Sequence, residues 1–296
     1  MENELQKKRT SPFHWILLFI SGILIGGGAI LPGISGGVLC VVFGIYRPMM
    51  ELLSHPRRAV PKYWKIFIPV LLGWAAGFLG FARVVDIVFS ANELLATWLF
   101  IGLIAGTMPA LYQEAGLQGR PKGAYAALVI AFAVLFGILT AVRISPTTHV
   151  EPSFFWYIFA GVLWGLSLIV PGMTSSSVLM SLELYRPLAA GIADLDPAVL
   201  VPWILGLVIT VVGLAKLVNH LFEKKYPYAF HGVVGVVLAS TLAIIPTEYD
   251  SVATFLLSLL CFVVGFVIAW LLAKLDRRGA NGPEEPPEAE ETKTQA

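Results

Sequence analysis

The sequence is poor in charge. Only 13% of its 296 residues are Asp, Glu, Lys or Arg, about half the share of an ordinary soluble domain. By contrast 57% are hydrophobic, and the mean hydropathy is +0.79. So little polar surface cannot cover a water-soluble globule of this length, which leaves a polytopic membrane protein. Cysteine is nearly absent. Cys40 and Cys261 lie far apart in separate apolar runs, so no disulfide framework is expected and both read as small buried hydrophobes. The five histidines, His14, His55, His149, His220 and His231, share no ligand spacing, which argues against a metal site. A formal net charge of +1 with no basic stripe removes nucleic acid as a partner.

Polar sequence gathers at the two ends. Lys7-Lys8-Arg9 precedes an apolar run in the manner of a signal peptide, but no Ala-x-Ala-like site follows and the run recurs internally at 154–170. A retained segment is expected. From Asp276 the chain turns polar, and Pro283-Glu284-Glu285-Pro286-Pro287-Glu288 onward has nothing to bury, as in a disordered tail.

What the sequence does have is one unusual phrase stated twice. Leu31-Pro32-Gly33-Ile34-Ser35-Gly36-Gly37 and Val170-Pro171-Gly172-Met173-Thr174-Ser175-Ser176 interrupt two matching apolar stretches. Setting Pro32 on Pro171 pairs Gly22 with Gly161, Gly26 with Gly165, and Tyr46-Arg47-Pro48 with Tyr185-Arg186-Pro187. With small shifts Pro69 and Gly73 fall on Pro202 and Gly206, Gly80 to Arg83 on Gly213 to Lys216, Asp86 on Asn219, and Phe100 and Gly102 on Phe230 and Gly232. Two copies of one unit account for nearly the whole chain. Helix breakers at corresponding positions of two apolar halves point to the binding site of a transporter.

Apolar runs cover 13–31, 35–53, 65–89, 94–114 and 123–142 in the first copy, then 154–170, 174–193, 199–222, 229–245 and 252–274 in the second. The second run of each five is short. From Gly33 to Arg47 is about 14 residues, or about 21 Å of helix, against a hydrocarbon core of about 30 Å. A re-entrant hairpin is therefore expected: one helix enters, turns at Pro-Gly near mid-membrane, and the next returns to the same side. Freed backbone groups at that depth survive only where protein or water satisfies them.

With the N-terminus inside, Arg57, Arg58, Lys62, Lys65, Arg120, Lys122, Lys224, Lys225, Lys274, Arg277 and Arg278 all fall on the cytoplasmic face, as the positive-inside rule requires. Arg143 and Arg186 are the exceptions. Each copy then crosses an odd number of times, so the second is inverted relative to the first. The expected architecture is all-α and polytopic, an inverted repeat of two five-segment halves that each open with a re-entrant helical hairpin. Its expected parts are a cytoplasmic N-terminal segment (1–12), membrane repeat 1 (13–142), an external linker (143–153), membrane repeat 2 (154–275) and a disordered cytoplasmic tail (276–296).

A helix that begins inside the bilayer presents unpaired N–H groups and the positive end of its dipole, a site for an anion and for phosphate above all. Gly33, Gly36 and Gly37 allow close approach and Ser35 offers a hydroxyl; Gly172 keeps the second turn open, and Thr174, Ser175, Ser176 and Ser177 offer more hydroxyls. The same small residues also suit close helix packing, but their occurrence in two copies beside Pro-Gly breaks favours binding. Arg47 and Arg186 end the returning helices, and Arg83 and Lys216 form a second matched pair; each either attracts a head group or snorkels. Glu51 and Glu183, which are not repeat equivalents, either carry a coupling proton or neutralise a neighbouring arginine. Asp86, one turn from Arg83, suits a local ion pair.

Pro32-Gly33-Ile34-Ser35-Gly36-Gly37, the following Phe43-Gly44-Ile45-Tyr46 and the second copy from Pro171 through Tyr185 resemble the PopT-like family of bacterial membrane proteins, formerly a domain of unknown function. The resemblance spans about residues 12–275. It implies a translocase returning undecaprenyl phosphate, the polyprenyl-phosphate carrier of cell-wall precursors, from the outer to the inner leaflet of the cytoplasmic membrane. It places the phosphate at Gly33, Ser35, Gly36, Gly37, Gly172, Thr174, Ser175 and Ser176. No covalent chemistry and no cofactor are required; coupling to a proton or sodium gradient and a homo-oligomeric state stay open. A lipid phosphatase would need a positioned histidine nucleophile, and neither Pro-Gly motif has one nearby. An ion-coupled small-anion transporter is the remaining alternative.

Overall fold

In a hydrocarbon solvent every backbone N–H and C=O must be paired within the protein, and an apolar run meets that demand as a helix. The computed structural model describes residues 12–32, 39–40, 43–45, 48–49, 51–52, 56–144, 150–170 and 175–280. Among the described residues it contains nine helices and no strand. They are α1 (Pro12–Ile30), α2 (Pro56–Ala91), α3 (Glu93–Glu114), α4 (Lys122–Ile144), α5 (Phe154–Ile169), α6 (Ser175–Ser181), α7 (Tyr185–Ala193), α8 (Pro197–Ala243) and α9 (Val252–Ala280).

Local chemistry sets several starts. Asn92 Oδ1 accepts from the Leu95 N–H at the head of α3, and Asp196 Oδ1 accepts from the Ala198 N–H at the head of α8, where Pro197 gives up no bond. Among the described residues six segments are long and apolar enough to cross a bilayer: Arg57–Ala91, Glu93–Glu114, Lys122–Val142, Pro197–Leu214, Lys224–Ala243 and Val252–Lys274. The protein is a multi-pass, all-helical membrane protein. α5, at 16 residues, is only about 24 Å long. The runs at 199–222 and 229–245 are two helical pieces of α8 that meet across a kink at Lys225, whose φ of −135° and ψ of 37° are not helical. Pro227 follows at once, in the first turn of the second piece, where a missing N–H costs least.

The repeat in sequence reappears as a repeat in contacts. α1 lies on α2, and α5 lies on the first part of α8. In the first crossing a Cβ on Gly22 would strike the Val70 carbonyl, and one on Gly73 would strike that of Phe19. In the second, Gly161 meets the Trp203 carbonyl and Gly206 that of Ile158, which are the repeat-matched atoms. Small residues let backbones approach closely where lipid offers no hydrophobic drive between helices.

The turn after each Pro-Gly motif is matched as well. Leu184 N–H donates to Leu179 O at 2.9 Å and Ile45 N–H to Cys40 O at 2.8 Å, each a six-to-one bond closing a helix end. The left-handed residue this closure needs is Gly44 (φ 69°) in one copy and Glu183 (φ 59°) in the other. Around the turns, Leu18, Ile25, Leu39, Cys40, Ile45 and Val70 form one cluster. Their counterparts Tyr157, Trp164, Val178, Leu179, Leu184 and Trp203 all belong to the main core.

The remaining long helices exchange partners. α3 of the first half packs on α9 of the second, and the later part of α8 packs on α4. Gly102 and Gly106 abut the carbonyls of Phe262 and Phe266, while Gly235 abuts that of Leu128. The outer faces of α4 and α9 carry exposed Val129, Ile130, Val134, Leu256 and Leu260, the apolar surface that a lipid environment requires.

Candidate functional site

Two helix ends define the candidate site, the C-terminus of α1 at Ile30 before Pro32 and the N-terminus of α6 at Ser175 after Pro171. Gly33, Ser35, Gly36, Gly37, Arg47, Gly172 and Thr174 lie outside the described residues. So does the side chain of Lys216, although its backbone belongs to α8. Ser175 and Ser176 are described, and both are buried in the first turn of α6, where backbone N–H groups have no intrahelical acceptor.

The structure ties the first of these ends to the head of α7. Tyr185, fully enclosed at the start of α7, donates its hydroxyl to the Ile30 carbonyl at 2.6 Å. That carbonyl is one of the last of α1, which have no partner within their own helix. The Tyr185 ring packs edge-on against Phe89 and Phe100 of the first half, at 6.3 and 5.8 Å between ring centroids. Ile30 joins the same core cluster as Val178, Leu179 and Leu184. The segments flanking both Pro-Gly motifs therefore meet in one place.

Ser177 turns away from that role. It is completely buried and accepts from the Ser240 hydroxyl of α8 at 2.8 Å, while Ser181 donates to the Ser240 carbonyl at 3.1 Å. These bonds fasten the short α6 to α8, where its own few turns would not hold it. Deeper in the core, Trp164 and Trp203 of the second half pack on Phe78 of the first, with centroids 5.2 to 6.3 Å apart. Neither the tyrosine bond nor the serine pair was readable as a site. Tyr185 stood out only as part of the repeated Tyr-Arg-Pro phrase, and Ser240 carried no signal.

The charged candidates divide into two groups. Arg83 contacts Asp194 at 3.0 Å and Asp86 at 3.5 Å; Arg186 reaches Asp86 at 3.9 Å and donates to the Ser90 hydroxyl at 2.9 Å. The local pair of Arg83 and Asp86 is thus part of a four-residue network joining α2 to α7 and to the turn that follows it. Both arginines stay about half exposed. Glu51 lies elsewhere, paired with Lys62 Nζ at 3.0 Å and accepting from the Tyr63 hydroxyl at 2.7 Å. Glu183 is exposed on the turn between α6 and α7. Among the described residues no cluster of His, Cys, Asp and Glu could hold a metal ion.

The chain is 21% identical over 277 residues to a polyprenyl-phosphate transporter of Staphylococcus aureus, covering 89% of this chain and 97% of that one. It is 18% identical over 247 residues to a polyprenyl-phosphate transporter of Vibrio cholerae, covering 79% and 78%. No solved structure matches it. The family described as VCA0040-like, undecaprenyl phosphate translocase-like, matches residues 3–120 and 63–258, which together take in both Pro-Gly motifs and the helices that hold them. With most of its length matched in this way, the chain belongs to the undecaprenyl phosphate translocase-like family.

Proposed function

We propose that this protein is a transporter without covalent chemistry that carries undecaprenyl phosphate from the outer to the inner leaflet of the bacterial cytoplasmic membrane, for reuse in envelope synthesis. The observation that carries the reading is the meeting of both motif-flanking segments at the Tyr185–Ile30 bond, since one phosphate can then be shared by both halves. The relatives' names, polyprenyl-phosphate transporter, support the substrate class.

In this reading the phosphate rests at the opposed helix N-termini that follow Pro32-Gly33 and Pro171-Gly172. Gly33, Ser35, Gly36 and Gly37 serve from one side, and Gly172, Thr174, Ser175 and Ser176 from the other. Backbone N–H groups and hydroxyls neutralise the head while the polyprenyl tail stays in lipid. The two halves are inverted copies, each with a re-entrant hairpin, and both termini are cytoplasmic. The matched glycine crossings and the exchanged long helices support a pseudo-twofold relation; the 16 residues of α5 and seven of α6 support a hairpin that does not cross. Alternating access tilts one half against the other about the shared site, and a transmembrane ion gradient drives the cycle. The arginine pair at Arg83 and Arg186 meets the head group at the surface when its exposed ion pairs, each worth about 1 kcal/mol or less, open.

Mass spectrometry of the purified protein is expected to find retained polyprenyl phosphate. Replacing Ser35 and Ser175 together by alanine is expected to abolish both retention and uptake into proteoliposomes. Full activity of that double variant would overturn the site assignment, and a central cavity sealed from lipid would favour a small-anion substrate instead.

A further inference from the structure

Four cations gather where the connection between α3 and α4 meets the break in α8. Arg120 and Lys122 belong to the connection and the head of α4, Lys224 and Lys225 to the break, and all four are exposed. The two segments touch. The Tyr226 hydroxyl reaches Glu114 Oε1 at 3.1 Å, and the Tyr228 ring lies so near Gly123 that a Cβ there would stand 2.8 Å from it. Among the described residues none of these four cations forms an ion pair, whereas Lys62, Arg83 and Arg186 each have a carboxylate at 3.0 to 3.9 Å. The patch therefore holds positive charge that the protein itself leaves unanswered.

Two of the charges are held in place. The Arg120 guanidinium stands 4.3 Å over the Tyr112 ring and donates to the Tyr112 carbonyl at 3.2 Å, and Lys225 Nζ stands 5.8 Å over the Tyr228 ring. A cation already resting on an aromatic face loses less freedom when an anion arrives. The connection is itself a run of turns. The N–H groups of Gly116, Leu117 and Gly119 donate to the carbonyls of Gln113, Glu114 and Gly116 at 3.0 to 3.1 Å, and Gly119 is left-handed at φ 89°. These turns leave Leu117 69% exposed, close in the chain to Arg120. Along α4 the exposed Tyr125, Val129, Ile130 and Val134 lead away from the cations. Positive charge at the end of a lipid-facing helix suits a phosphate head whose chains lie in the bilayer.

We propose that this patch binds the head group of an anionic glycerophospholipid of the surrounding leaflet. The lipid phosphate lies among Arg120, Lys122, Lys224 and Lys225, bridging the connection to the break in α8, and the acyl chains follow the exposed face of α4. Arg120 supplies a planar fork that matches phosphate oxygens, and the lysines supply point charge. Diffuse attraction of basic loops to anionic lipid asks for no particular residues. A site made where two distant segments touch does. The patch is remote in sequence from both Pro-Gly motifs and stands whatever the protein transports.

The test is native mass spectrometry of the purified full-length protein in micelles holding equal amounts of phosphatidylglycerol and phosphatidylcholine. Wild-type protein is expected to retain phosphatidylglycerol in preference. The combined variant Arg120→Gln, Lys122→Gln, Lys224→Gln and Lys225→Gln is expected to lose about tenfold of that preference. A control with Arg57→Gln, Arg58→Gln, Lys65→Gln and Lys274→Gln, which removes as many exposed cations elsewhere, is expected to keep it. No preference in the wild type, or equal losses in the two variants, overturns the proposal, the second outcome by showing diffuse attraction. Displacement of the lipid by excess inorganic phosphate would make this an ion site and overturns it too. If the first variant does not fold, the triple variant that keeps Arg120 serves and is judged by the same outcomes. Polyprenyl phosphate is read in the same spectra. Its loss from the first variant with phosphatidylglycerol unaffected would give the patch to the transported lipid and overturn the proposal, whereas its absence from the wild type would count against the transporter reading alone.

Discussion

Tyr185 satisfies the last turn of α1 from 155 residues away. Phenylalanine at this position keeps the ring stacked on Phe89 and Phe100 but leaves the Ile30 carbonyl buried without a donor, at a cost of about 1–3 kcal/mol. Tyr185→Phe is therefore expected to lower the thermal unfolding midpoint in detergent and to weaken lipid retention together; a variant with unchanged stability would show that water replaces the hydroxyl. Sequence order gave no warning of this bond, because a contact between distant segments leaves no local period. The turn beside it was more legible. Gly44 and Glu183 stood opposite each other in the repeat, yet only the backbone reveals that both are left-handed. A glutamate accepts that conformation at a cost glycine does not bear.

At the scale of the helix, the glycines sort themselves by what a methyl group would meet. Gly22 and Gly161 face carbonyl oxygens across their crossings, whereas Gly80 and Gly213, also repeat partners, face open space. Gly22→Ala and Gly161→Ala are each expected to destabilise by about 1–3 kcal/mol through overpacking. Gly80→Ala and Gly213→Ala are expected to be neutral or to stabilise by about 0.5–1 kcal/mol, since alanine suits a helix interior better than glycine. Thermal unfolding of the four variants checks the pattern, and equal effects at all four sites would refute it. The apolar runs located these helices well: those at 94–114 and 123–142 differ from α3 and α4 by a residue or two at either end. The runs at 199–222 and 229–245 likewise fall on two helical pieces, which meet across a kink at Lys225.

For the whole molecule, the network of Arg83, Asp86, Asp194 and Arg186 joins α2 of the first half to α7 of the second and the turn that follows it. If the halves tilt, these residues separate. In a chain lacking Cys40 and Cys261, cysteines replacing Arg83 and Asp194 and joined by a short bifunctional reagent are expected to stop uptake while lipid retention persists, with activity restored on cleavage of the link. Unimpaired uptake by the linked protein would place the moving boundary elsewhere. Repeat-level sequence matching paired Gly22 with Gly161 and Gly73 with Gly206, the glycines at the two matched crossings. The exchange of long helices between the halves could not be read in the same way, because α3 and α9 are apolar all round and nothing in either run names its partner.

That exchange fixes an order of assembly. α3 leaves the ribosome some 138 residues before the first residue of α9 (252 less 114). At about 5–20 residues per second, it waits roughly 7 to 28 seconds in the membrane with its glycine face at Gly102 and Gly106 uncovered. Neither half is a closed folding unit, so a stop codon anywhere before Val252 strands α3 without its companion. The last helix made is the one that completes the first half.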